Sequence, residues 1–136
     1  MILLLDTHVL VWMSEDSPEL PRHIGQAIDD AARNDDVLVS AWAFWEVGQL
    51  VSKRRLELRR PIRDWMGDVL GTPGLTLTPF TAEIAVDCSA LPGRFHRDPA
   101  DRVFVTTARA LGATVVTRDR DILRYGEAGH VSVLAA

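Results

Sequence analysis

The stretch Met1-Ile2-Leu3-Leu4-Leu5-Asp6-Thr7-His8 decides how the rest of the chain is read. Ile2 to Leu5 is apolar without alternation, and the run stops on a carboxylate. A strand with one wet face alternates polar and apolar side chains, whereas a strand covered on both faces does not. The run is therefore expected to be a buried strand of a parallel sheet, with Asp6 at its carboxyl end. Short segments of similar kind recur at Val37 to Val39, Leu75 to Leu77, Thr114 to Thr117 and Val131 to Leu134.

Helical patterns lie between them. A first helix is expected from about Thr7 to Ser14. A second is expected near Pro18 with Ser17 as its N-cap, carrying Ile24, Ala27, Ile28 and Ala31 at helical spacing. Ser40 follows the second strand directly and can cap a helix bearing Phe44, Val47, Leu50 and Val51. Pro61 opens a helix with Ile62, Trp65, Met66 and Val69, broken by Gly71, Pro73 and Gly74. A helix from about Thr81 to Ala90 carries Ile84, Ala85 and Cys88. Pro99 stands in the first turn of another, with Val103, Phe104, Ala108 and Leu111 expected to face the core and Gly112 to end it. Strands alternating with helices predict an α/β fold with a central, mostly parallel five-stranded sheet flanked by helices on both sides. In such sheets ligands bind beyond the carboxyl ends of the strands.

At 136 residues with 47% hydrophobic and 25% charged residues, the chain fits one domain spanning 1–136 that can bury its own core. One cysteine, Cys88, excludes an intrachain disulfide and fits a reducing compartment. No apolar stretch is long enough to span a bilayer, and the opening residues lack a basic leader, so a soluble, cytoplasmic protein is expected. The net charge of −4 lacks the basic footprint usual in nucleic-acid binders. The positive charges are clustered, however: Lys53, Arg54, Arg55, Arg59, Arg60 and Arg63 form one group, and Arg94, Arg97 and Arg102 another. A pocket rich in carboxylates also lowers the net charge without making the remaining surface acidic.

The acids carry the chemistry. Asp6 follows the first strand and Asp119 the fourth; Glu46 and Asp101 fall on helices. Each has a purely structural alternative: Asp6 as a cap, Asp119 as a cap or a turn residue, Asp101 as a first-turn acid favoured by the helix dipole. Glu46 fits that alternative less well, because it stands among Trp42, Phe44, Trp45 and Val47. A carboxylate in apolar surroundings needs a cation or a proton. Acids at several strand ends and helix starts suggest one shared pocket, where they repel one another unless a divalent cation lies between them. Oxygen-only ligands favour Mg²⁺ or Mn²⁺ over zinc. Such an ion activates water and neutralises phosphoryl charge, the chemistry of phosphodiester hydrolysis.

Four stretches then resemble a known family in order. They are Leu3-Leu4-Leu5-Asp6-Thr7-His8, Ser40-Ala41-Trp42-Ala43-Phe44-Trp45-Glu46-Val47, His96-Arg97-Asp98-Pro99-Ala100-Asp101-Arg102-Val103-Phe104 and Val115-Val116-Thr117-Arg118-Asp119. Together the sequence resembles a PIN-domain protein of the VapC-like toxin type. The resemblance implies a PIN-like fold and a metal-dependent endoribonuclease using one or two Mg²⁺ or Mn²⁺ ions. It implies Asp6, Glu46, Asp101 and Asp119 as metal-binding, catalytic acids, with Asp98 a further acid at the pocket rim. It also implies an RNA substrate, a cognate antitoxin that holds the protein inactive, and a homodimer.

Thr7 and Thr117 are candidates for hydrogen bonds to the metal-binding groups, or else simple caps. Arg102 is a candidate for orienting an acid or contacting phosphate, against a surface ion pair with Asp98 or Asp101. Asp121 is a candidate assistant to Asp119, and His8 and His96 are candidate substrate contacts. The basic run from Lys53 to Arg63 reads as an RNA-backbone surface, a docking surface for an acidic partner, or solvated surface. Trp12, Trp42, Trp45 and Trp65 read as core or interface residues. Three other readings compare less well. An α/β phosphatase usually needs a second Asp two residues after the first, where His8 stands. A receiver domain needs a late lysine, and the only lysine is Lys53. A PIN-fold RNA-binding protein without cleavage activity would have no need of all four acids.

Overall fold

The structure, a computed structural model, describes residues 1–95 and 98–136; His96 and Arg97, named above as a candidate contact and a basic-cluster member, lie outside it. Among the described residues, strands and helices alternate. The strands are β1 (Leu3–Leu5), β2 (Val37–Ser40), β3 (Leu75–Thr78), β4 (Thr114–Thr117) and β5 (Ser132–Ala135). The helices are α1 (Thr7–Ser14), α2 (Arg22–Ala32), α3 (Ala41–Ser52), α4 (Ile62–Leu70), α5 (Ala82–Asp87), α6 (Pro99–Leu111) and α7 (Arg120–Glu127).

The sheet order is β3-β2-β1-β4-β5, and every neighbouring pair is parallel rather than most of them. β1 lies at the centre, with Leu4 in register with both Leu38 and Val115. Successive strand residues point to opposite faces, and Leu3, Leu4 and Leu5 are all buried, so both faces of the sheet are covered there. Phe104, Leu10, Ile24, Ile122, Val9, Val37, Val39 and Val47 are among the other deeply buried residues. The edge strands β3 and β5 are more exposed. No helix among the described residues is long and apolar enough to cross a membrane.

Four local expectations need correction. The second helix begins at Arg22, not beside Pro18. A residue preceding proline avoids the helical region, so Pro21 stops Leu20 from joining a helix, and the helix starts only beyond it. Ser17 caps a local turn instead, its hydroxyl accepting from Glu19 N at 3.2 Å. The fifth helix stops at Asp87 rather than Ala90. Leu111, expected in the core, is 44% exposed at the last residue of α6, where Gly112 turns the chain into the left-handed region. Finally, α7 has no counterpart in the sequence reading. Its N-cap is Asp119, and Ile122 and Tyr125 are its buried residues.

Candidate active site at the carboxyl rim of the sheet

Parallel strands place all their carboxyl ends on one rim, and the acids gather there. Asp6 leaves β1 and caps α1, one carboxylate oxygen accepting from Val9 N at 2.9 Å. Its other oxygen accepts from the Thr117 hydroxyl at the end of β4. Asp6 is only 7% exposed. Asp119 caps α7, accepting from Ile122 N at 3.0 Å, while its own N–H donates to the Thr117 hydroxyl oxygen at 3.0 Å. Thr117 is thus the joint between the first and fourth acids.

Glu46 lies in the second turn of α3, whose first turn is capped by Ser40 accepting from Trp42 N at 3.1 Å. The Thr7 hydroxyl donates to Glu46 across the gap between α1 and α3. Asp98 caps α6, accepting from Ala100 N at 3.0 Å and Asp101 N at 3.3 Å, and Asp101 stands in that first turn.

The electrostatics identify these acids as one group. Burial pushes Asp101 up to about 8, and the charges of Asp119, Asp98, Asp6 and Glu46 push in the same direction. Burial also raises Asp6, against the Thr117 and Val9 hydrogen bonds and the charge of His8, with Asp119 adding to the rise. Glu46 is raised by burial against the Thr7 hydrogen bond, with Asp98 and Asp6 adding to the rise and His8 opposing it. A carboxyl protonated near neutral pH among other carboxylates marks a region short of positive charge. The oxygen-only donor set and this charge imbalance fit Mg²⁺ or Mn²⁺. Among the described residues, no three acid, histidine or cysteine side chains are already grouped so as to hold a metal ion. The acids share a rim but are not closed around one point.

The remaining candidates fall in distinct places. Asp121 is exposed in the first turn of α7, 3.6 Å from Arg124. The Arg102 guanidinium donates to the carbonyls of Cys88 at 2.7 Å and Phe95 at 3.0 Å, tying the loop after α5 to α6. His8 is exposed, its ring 6.2 Å from that of Trp12. Both rings line a cleft of about 500 Å³ that begins at Thr7 and extends to Arg55 and Arg59. Within the basic run, Arg59 pairs with Glu15 at 2.6 Å and Arg60 with Asp68. Of the tryptophans, Trp65 is buried, its indole N–H donating to the Ser14 hydroxyl at 2.8 Å. Trp45 is 56% exposed and packs with its ring tilted against that of Trp42, centroids 5.0 Å apart, while Trp42 meets Phe80 edge-on. Arg118, between Thr117 and Asp119, was given no role from the sequence; in the structure its guanidinium donates to Glu19 and to Ala136 O.

Residues 3–128 match the PIN domain family. Ribonuclease VapC22 of Mycobacterium tuberculosis is 34% identical over 134 residues, which cover 96% of this chain and 97% of that protein. Among solved structures, VapBC2 from Rickettsia felis bound to a DNA fragment from its promoter aligns with a TM-score of 0.72. The identity is 18%, with 99% of this chain and 98% of that one covered. DNA-bound VapBC from Salmonella typhimurium aligns with a TM-score of 0.68 at 15% identity, with 99% and 98% covered. These two alignments concern the fold. The family match, nearly the length of the chain, and the relative above 30% identity go further: the chain belongs to the PIN domain family.

Proposed function

We propose that this protein is a divalent-metal-dependent endoribonuclease, the toxin of a toxin–antitoxin pair, acting on RNA in the cytoplasm. The observation that carries the metal site is the meeting of acids from four separate segments on one rim, with Asp101 pushed up to about 8 by burial and by the others. The relative named as a ribonuclease supports the reaction class. The neighbouring structures, which are VapBC complexes by name, support a cognate antitoxin as partner.

Asp6, Glu46, Asp101 and Asp119 hold the ion, Mg²⁺ or Mn²⁺, with Asp98 at the edge of the group. When bound, the ion supplies an activated water and neutralises charge on the phosphoryl group. The chain's own residues set the geometry. Thr117 fixes one oxygen of Asp6, and Val9 N fixes the other. Thr7 fixes Glu46. With both oxygens of Asp6 directed by fixed donors, the carboxylate presents its remaining lone pairs in one orientation. Burial keeps bulk water away from Asp6, which strengthens its attraction for a cation.

The test is cleavage of total cellular RNA by purified protein with Mg²⁺ or Mn²⁺, with and without EDTA, beside Asp6→Asn. Discrete cuts that vanish with chelator and in the variant are expected. Cuts that survive both treatments overturn the metal-nuclease reading.

A further inference from the structure

We propose that Arg118 is a positioning residue for the fourth acid: its guanidinium locks the short link between β4 and α7, and so sets Asp119 and the Thr117 hydroxyl against Asp6. The inference rests on the site described above. Residues 118 and 119 belong to neither strand nor helix, yet Thr117 on one side contacts Asp6 and Asp119 on the other is itself a site acid. Besides the local bonds of Asp119, Arg118 in this link contacts three other segments at once. Its Nε donates to Ala136 O at 3.0 Å, one terminal nitrogen to Glu19 Oε2 at 3.1 Å, and the other to Glu19 O at 2.7 Å. Its guanidinium carbon lies 4.4 Å from the centre of the Trp12 ring. The ring of contacts closes on itself, because Ala136 N donates to Thr117 O at 2.8 Å. Trp12 lies on α1, the helix that Asp6 caps. One side chain therefore ties the helix of the first acid to the turn of the fourth.

The Arg118–Glu19 ion pair is half-exposed, with side-chain exposures of 46% and 62%, and such a pair contributes little to stability. Its value lies in orientation. A planar fork with five donors can engage two main-chain oxygens, a carboxylate and a ring face in one pose, which a lysine ammonium cannot.

The experiment measures Mn²⁺ affinity by the EPR signal of the free ion, RNA cleavage and Tm for Arg118→Ala, Arg118→Lys, Glu19→Ala and the double variant Arg118→Ala/Glu19→Ala. Loss of a residue that orients a metal ligand typically weakens metal affinity or activity by 10–100-fold. Arg118→Ala is expected to weaken Mn²⁺ binding and cleavage about tenfold, at the low end of that range, with little change in Tm. Arg118→Lys should resemble Arg118→Ala; full recovery by lysine would show that charge alone matters, and would overturn the proposal. Glu19→Ala, placed on the far side of the guanidinium, should act in the same direction and less than additively with Arg118→Ala. Should Arg118→Ala fail to fold, Glu19→Ala carries the test alone. Unchanged Mn²⁺ affinity in the folded variants also overturns it. Asp119→Asn, run in parallel, separates the two layers. If that variant binds Mn²⁺ and cleaves like the parent, the site reading itself fails. If it loses both while Arg118→Ala keeps both, only the role of Arg118 fails.

Discussion

Thr117 is fully buried and uses both capacities of its hydroxyl, donating to Asp6 and accepting from Asp119 N. Thr117→Val keeps the shape and removes both bonds. It is expected to lower RNA cleavage about 10–100-fold. It should also cost roughly 1–3 kcal/mol in urea unfolding, because buried polar partners are left unpaired. Thr117→Ser should restore most of both, and a fully active valine variant would remove the residue from the site. Two roles were open for Thr7 and Thr117 from sequence, capping or support of the acids. Neither threonine caps a helix in the structure. Asp6 takes the cap of α1 and Asp119 that of α7, which leaves both threonine hydroxyls to the carboxylates. Sequence spacing could place these threonines beside acids, but not reveal that Thr7 turns to an acid 39 residues away.

Three of the site acids also begin helices: Asp6 caps α1, Asp98 caps α6 and Asp119 caps α7. The capping role of these residues leaves room for the proposed chemical one, since a cap uses only one carboxylate oxygen of each. The two roles separate by substitution. Asparagine caps as well as aspartate, whereas alanine costs about 1 kcal/mol at such a position. Asp6→Asn and Asp119→Asn should therefore abolish cleavage with near-parental urea midpoints, while the alanine variants lose activity and about 1 kcal/mol of stability as well. An active Asp6→Asn protein would contradict the assigned role. The five strands and most helices could be read from apolar runs and breakers. What escaped was α7, because Arg118-Asp119-Arg120-Asp121 reads as a charged turn and the helix buries only Ile122 and Tyr125. The displaced start of α2 has a similar cause: a good capping serine at Ser17 is overruled by Pro21 four residues later.

The metal-free protein carries an electrostatic load that depends on pH. Asp6, Glu46 and Asp101 are all raised, so the folded state holds their protons to higher pH than the unfolded chain does. Between the ordinary Asp value of 3.8 and about 8 for Asp101, the folded state binds more protons, and stability falls as pH rises. The Tm without metal is expected to decline through that window. Asp101→Asn should flatten the decline, and added Mn²⁺ should raise Tm more at the alkaline end than at the acid end. A Tm that climbs through the window in metal-free buffer would refute this. The all-parallel sheet has one more consequence. Its central strand, β1, is translated first but gains its β4 neighbour last, and Asp6 meets Thr117 only across 111 residues of chain. At synthesis rates of about 5–20 residues per second, that wait is roughly 6–20 s. Throughout it the nascent chain carries its first acid without its fourth. A ribosome making this nuclease therefore does not carry a finished blade until β4 and the acid that follows it have been made.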